Sequence, residues 1–207
     1  MPRLIVLAFS LWLAAVVGCE DGSIGGSTAA LNKFETLPEL LQDTAVQTAI
    51  SRLPASGFLG PGQYHQGSTP ADISGVWSTA CCGGQGGLWP PGNGFGGTFT
   101  FRAAGPGRVD MLSAEGKLDY TDGLDSFVVG AQNNITLFLQ LSIVCREDGE
   151  RVRAVAIDRF TREGDTLTNY VRSYVILARD HGEPWTCFVE PVGSGSVSTP
   201  AQFGKRS

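Results

Sequence analysis

The most restrictive feature of this 207-residue chain is a strict two-residue alternation late in the sequence. Ile135, Leu137, Leu139, Leu141, Ile143 and Cys145 occupy every second position, with Thr136, Gln140, Ser142 and Arg146 among the residues between and beyond them. A helix would scatter these apolar residues around its axis, whereas a β-strand sends them to one face. Glu147, Asp148, Gly149 and Glu150 then form a turn by composition, a second long strand covers 151–162, and Gly164 and Asp165 turn the chain into a third over 165–179. Shorter strands at 75–79, 97–102, 107–113, 116–121 and 126–131 are separated by Gly, Pro or Asp. Eight strands in simple succession, without helical crossovers, predict a mainly β fold, an eight-stranded antiparallel up-and-down barrel. Closure removes the exposed edges of an open sheet, and the long last three strands suit tilted staves better than the rival two-sheet sandwich.

The region before the strands changes period. Thr36 and Glu39 have capping-box spacing, and Leu37, Leu40, Leu41, Ala45 and Ala49 recur on one helical stripe. One amphipathic helix over about 37–52 follows, its stripe needing the outside or one end of the barrel as a partner. Pro54, Gly57, Gly60, Pro61, Gly62, Gly67 and Pro70 mark a connecting loop. Gly22, Ser23, Gly25, Gly26, Ser27 and Thr28 bury too little apolar surface to fold, so 20–30 reads as a flexible tether.

Arg3 precedes an uncharged apolar run over 4–17, too short to span a bilayer and of signal-peptide length. The run ends in Val16, Val17, Gly18 and Cys19, which resembles the bacterial lipobox. The resemblance implies cleavage before Cys19 and lipid attachment to it, making the chain a cell-envelope lipoprotein held on a bacterial membrane and facing a non-cytosolic compartment. An ordinary signal peptide with an incidental thiol is the alternative. The chain then divides into a signal peptide (1–18), lipidated N-terminus and tether (19–35), helix and loop (36–71), barrel (72–192) and a disordered tail (193–207). Tether, helix and loop together would let the barrel stand well away from the membrane.

Loss of Arg3 with the leader takes the net charge from −5 to −6. No basic patch is present, which argues against nucleic acid as a partner. Beyond Cys19 stand Cys81, Cys82, Cys145 and Cys187. An even set in an exported protein reads as disulfides. Zinc is the competing reading, but the histidines are only His65 and His181, both in loops where solvated surface is expected, and no C-x₂-C pair exists. No metal or cofactor is expected. The glycines around Gln85 lack the G-K-[ST] and helix of a phosphate cradle, and neither a G-x-S-x-G elbow nor an H-E-x-x-H pair occurs, so no catalytic residues are assigned and no enzyme is expected.

Gly75, Val76 and Trp77, directly at the first strand, resemble the G-x-W of lipocalins and the wider calycin group, and Arg179 matches the basic residue ending their last strand. The long connection over 80–96, with Trp89, is similar to their lid loop. The resemblance implies a lipocalin-like barrel closed by Arg179 packing over Trp77, with a small apolar ligand inside. Arg151, Arg153 and Arg159 share the outward face of their strand, which turns Val152, Ala154, Ala156, Asp158 and Phe160 inward. Ala154 and Ala156 would leave room for the ligand, and Phe99, Phe101, Leu137 and Leu139 would line it, or the same residues fill a solid core. Asp158 discriminates: an inward carboxylate must be paired or hydrated. Tyr170, Arg172 and Tyr174 are expected to face solvent. This topology also implies Cys145 and Cys187 at one end, bridged to each other, with Cys81 and Cys82 at the other, vicinally bridged or free. Two functions are favoured by the sequence: a membrane-anchored carrier of a small apolar ligand, or a non-catalytic envelope interaction or structural module, inhibitor-like, meeting an envelope protein partner through the loop of Trp89; a third, an enzyme of the calycin type, would need a titratable cluster inside the barrel, for which Asp158 alone is too little.

Overall fold

The computed structural model describes residues 33–78, 98–115, 118–145, 149–180, 191–198 and 202–206. In chain order the elements are α1 (Leu37–Gln42), α2 (Thr44–Ser51), β1 (Ser68–Pro70), β2 (Gly75–Ser78), β3 (Thr98–Gly105), β4 (Arg108–Glu115) and β5 (Leu118–Gln132). They continue with β6 (Asn134–Cys145), β7 (Arg151–Glu163), β8 (Thr166–Arg179), β9 (Val197–Ser198) and β10 (Phe203–Lys205). Strands β2 to β8 pair antiparallel in succession, and β10 lies antiparallel to both β8 and β2, closing an eight-stranded up-and-down barrel of lipocalin-like form.

The eight staves are not the eight expected. The stretches 116–121 and 126–131 are one strand, β5. Thr121, Asp122, Gly123, Leu124 and Asp125 have the composition of a turn, but here they form an irregularity within a continuous ladder, where Asp125 has φ 57° and the register to β6 shifts between Asp122 and Phe127. The Asp125 amide donates to Asp110 Oδ1 (2.9 Å) and Ser126 Oγ to the Gly123 carbonyl (2.8 Å), supplying the bonds that the interrupted ladder lacks. The missing stave comes from the C-terminal segment. Expected to be disordered, it instead forms β9 and β10.

Merging two strands into one reverses the direction of every later strand relative to the expectation. The end of β6 and the end of β8 therefore lie on the same side of the barrel as the end of β2. The argument that set Cys145 and Cys187 apart from Cys81 and Cys82 fails with it. Cys145 ends β6 opposite Leu118, while Cys81, Cys82 and Cys187 lie outside the described residues.

Helical structure covers most of the stretch expected for the amphipathic helix, divided at Asp43. Thr36 caps α1 through the Glu39 amide. Asp43, extended at φ −67° and ψ 126°, ends α1 and caps α2 by accepting from the amides of Ala45 and Val46. Both helices lie outside the barrel. Leu40, Val46, Ala49 and Leu53 pack on the outward side chains of Phe138, Val155, Ile157, Val171 and Val175. Full burial of each Leu, Val, Ile or Phe side chain in this set contributes roughly 1.5–3 kcal/mol.

The loop that follows is tied down as well. Arg159 is fully buried on the outer wall and donates to the carbonyls of Pro54, Gln63 and Gly60. His65, expected at a solvated surface, is buried there too, its amide donating to Thr136 Oγ1 (2.9 Å). Strand β1 then runs parallel to the end of β5. At the other end of this strap, Gln140 grips the Phe34 backbone in both directions, Oε1 accepting from its amide (2.6 Å) and Nε2 donating to its carbonyl (3.0 Å). The chain is therefore docked from Phe34 onward, so the helix and loop would add nothing to the reach of the expected tether.

Candidate functional site

The interior of the barrel is the candidate site, and its facing follows from strand periodicity. Phe99 and Phe101 of β3, Leu137 and Leu139 of β6, and Ala154, Ala156, Asp158 and Phe160 of β7 all point inward and are buried, as expected. Trp77 is fully buried among them and donates its indole N–H to the Ile73 carbonyl (2.8 Å), so its one polar group is satisfied.

Three inward residues contradict the expectation. Tyr170, Arg172 and Tyr174 of β8 face the interior, not solvent, and are 5 %, 4 % and 1 % exposed. Two conditions hide this in the sequence. Strand β8 is covered on both faces, by the core inside and by α2 outside, so hydrophobicity does not mark the inner one. Asn169, at φ 52°, also breaks the alternation: Leu167 and Tyr170 both belong to the core.

Arg172 stands directly opposite Asp158 in the ladder and meets it as a two-pronged pair, Nε to Oδ1 and Nη2 to Oδ2, each 2.6 Å. Both carboxylate oxygens are thus held by one guanidinium in the geometry that is strongest for this pair. The guanidinium carbon lies 5.2 Å from the Phe99 ring centroid and 5.9 Å from that of Tyr170. Around the pair the rings form a cluster: Tyr170 to Phe203 at 4.6 Å, Phe99 to Phe203 at 5.3 Å, Phe160 to Tyr170 at 5.9 Å. Phe203, from the segment expected to be disordered, is 2 % exposed and completes this cluster.

The small residues of β7 are matched by large ones on β8. Ala156 lies opposite Tyr174 and Ala154 opposite Ile176, both buried. The space read from the sequence as room for a ligand thus has a bulky neighbour on the next strand.

Barrel closure also differs from the expectation. Arg179 does not reach Trp77. Its side chain is bonded to Glu150 (2.5 Å), at the far end of β8 from the residues that β10 joins. The cations over the indole are Lys205, with Nζ 5.6 Å from the ring, and Arg162 at 6.0 Å. The glycine of the G-x-W motif follows from its backbone: Gly75 has φ 131°, a conformation that L side chains rarely adopt, and Lys205 Cε, 2.7 Å from where a Cβ would lie, ends a flexible side chain.

At the edge of the core, an open cleft of about 240 Å³ lies between β1 and the β3–β4 hairpin, lined by the core residues Ile73 and Val109 with Val128 on its apolar side and by Ser68, Asp72 and Arg108 on its polar side. The Asp72 carboxyl is held below its ordinary value by hydrogen bonds from Ser74, aided by Arg162 and Lys205. Burial pulls the His65 imidazole below its ordinary value, and the neighbouring Arg159 charge adds to this. Arg159 and Arg153 are likewise lowered by burial. Among the expected site residues, Cys19, Cys81, Cys82 and Cys187 lie outside the described residues, as does Trp89. Comparison of the chain with models of known families, with curated proteins and with solved structures finds no match.

Proposed function

We propose that the chain is a membrane-anchored bacterial envelope lipoprotein, lipidated at Cys19, whose barrel is a non-catalytic interaction or structural module rather than a carrier. The observation that carries the choice is Asp158. An inward carboxylate calls for water, a ligand or a protein partner, and Arg172 supplies the partner with both oxygens engaged. The ring cluster around the pair, and Tyr174 opposite Ala156, support a filled interior. Function then rests on the outer surface, through which the module meets an envelope protein. Disulfides among Cys81, Cys82, Cys145 and Cys187 fit an exported protein, and the observed strand directions no longer set Cys145 apart from Cys81 and Cys82.

Carriage of a small apolar molecule has one feature in its favour, the cleft floored by Ile73, Val109 and Val128. Native mass spectrometry of the protein extracted from membranes separates the readings. The expected spectrum shows the acylated chain alone. A stoichiometric apolar passenger overturns the filled-module reading, and its loss in Val109→Trp would place it in the cleft. The same preparation of Cys19→Ala should leave the membrane fraction.

A further inference from the structure

We propose that the seam between β8 and β2 is a strand-accepting site, filled in this chain by its own C-terminal segment and able to take the same segment from a second copy. The described parts of the segment follow β8 in one unbroken register. Gly193 donates to the Ile176 carbonyl (2.8 Å), Ile176 to that of Ser194 (2.9 Å) and Tyr174 to that of Ser196 (3.2 Å). Ser198 then lies opposite Arg172, and Phe203 and Gly204 lie opposite Leu167 and Thr166. Gly195 permits this approach, since a Cβ there would sit 1.8 Å from the Tyr174 carbonyl oxygen. On the other side, β10 pairs with β2 through Gly204 and Lys205, and the Arg206 amide adds a bond to the Val76 carbonyl (2.8 Å).

Recognition in the seam has the form of a bound peptide: backbone pairing supplies the track and alternate side chains supply the fit. Phe203 enters the ring cluster between Tyr170 and Phe99, Lys205 crosses Gly75 to lie over Trp77, and Arg206 Nε donates to Ser78 Oγ (3.0 Å). The site thus selects an aromatic residue and, after one position where a Cβ would meet open space, two basic residues. Without this stave, β8 and β2 would present open edges flanking an aromatic pocket. A second copy carries the segment with the same contacts, so exchange between copies conserves every bond within the seam.

The test uses the full chain and a labelled synthetic peptide of residues 191–207. Phe203→Ala in the chain weakens the resident segment, which competes at high effective concentration, so the peptide should bind this variant at least about tenfold more tightly than the unaltered chain. A peptide carrying the same Phe203→Ala change should bind neither. If the variant chain refolds only with the wild-type peptide present, that recovery is the same result read by circular dichroism. A folded variant that does not bind the peptide, or an unfolded one that the peptide does not recover, overturns the proposal.

Discussion

At the scale of single residues, Asp158 and Arg172 define the interior. Each is a buried charge among apolar neighbours, and each engages the other. Asp158→Ala should therefore cost about 3–5 kcal/mol, because it takes both carboxylate oxygens away from a buried guanidinium, while replacing both with apolar residues of similar volume, Asp158→Leu with Arg172→Met, should be near neutral. Urea unfolding of the three proteins checks this. A double variant as unstable as the single one would show that Arg172 serves a purpose beyond pairing. Half of this site was legible beforehand. Arg151, Arg153 and Arg159 mark one face of β7, which turns Asp158 inward by alternation alone. Its partner was not legible, because both faces of β8 are covered and the φ 52° residue Asn169 shifts the alternation just before Tyr170. The charge of Arg172 made solvent the natural but incorrect assignment.

At the scale of elements, the unexpected part is the strap formed by α1, α2 and the loop that follows, lying along the outer wall. The stripe of Leu37, Leu40, Leu41, Ala45 and Ala49 correctly announced a helical region needing a partner, but the division at Asp43 depends on a cap that periodicity does not register. The outward Arg159 and Gln140 looked like solvent-facing polar residues. They are instead the groups that satisfy the carbonyls of the strap and grip Phe34. The same limit applied to β5, where turn-forming composition concealed a continuous strand and reversed the inferred end of the barrel for Cys145. The strap has a predictable pH response through His65. Its folded-state value lies below the ordinary 6.5, so the unfolded chain binds more protons in the interval between the two. Its contribution to stability is therefore complete above about 6.5 and is lost as pH falls through the lowered folded value. Compared with His65→Gln, the unaltered protein should lose stability more steeply below pH 6.5, as read by thermal unfolding at a series of pH values. Parallel curves for the two proteins would count against this.

At the scale of the whole molecule, the chain is docked at Phe34, so on the proposed reading with Cys19 as the anchor the residues between them, fully extended at about 3.3–3.6 Å each, would reach no more than about 50 Å. A barrel held that close to the proposed anchor would suit a module acting at the membrane surface. Whether the barrel carries anything within is decided by its packing, and Ala156 is the position that reports it. On β7 it is flanked by Leu139 of β6 and Tyr174 of β8, both buried in the core. In a barrel with an open lumen, Ala156→Leu would fill empty space and leave stability unchanged or raised. In a filled barrel the added carbons must displace the Tyr174 ring or the Leu139 side chain, which costs about 1–3 kcal/mol. For a chain of this size that is a fall of roughly 2–4 °C in Tm for each kcal/mol. The expected result is a lowered Tm with an unchanged β-sheet circular dichroism spectrum, and a raised Tm would return the interior to the ligand-carrying reading.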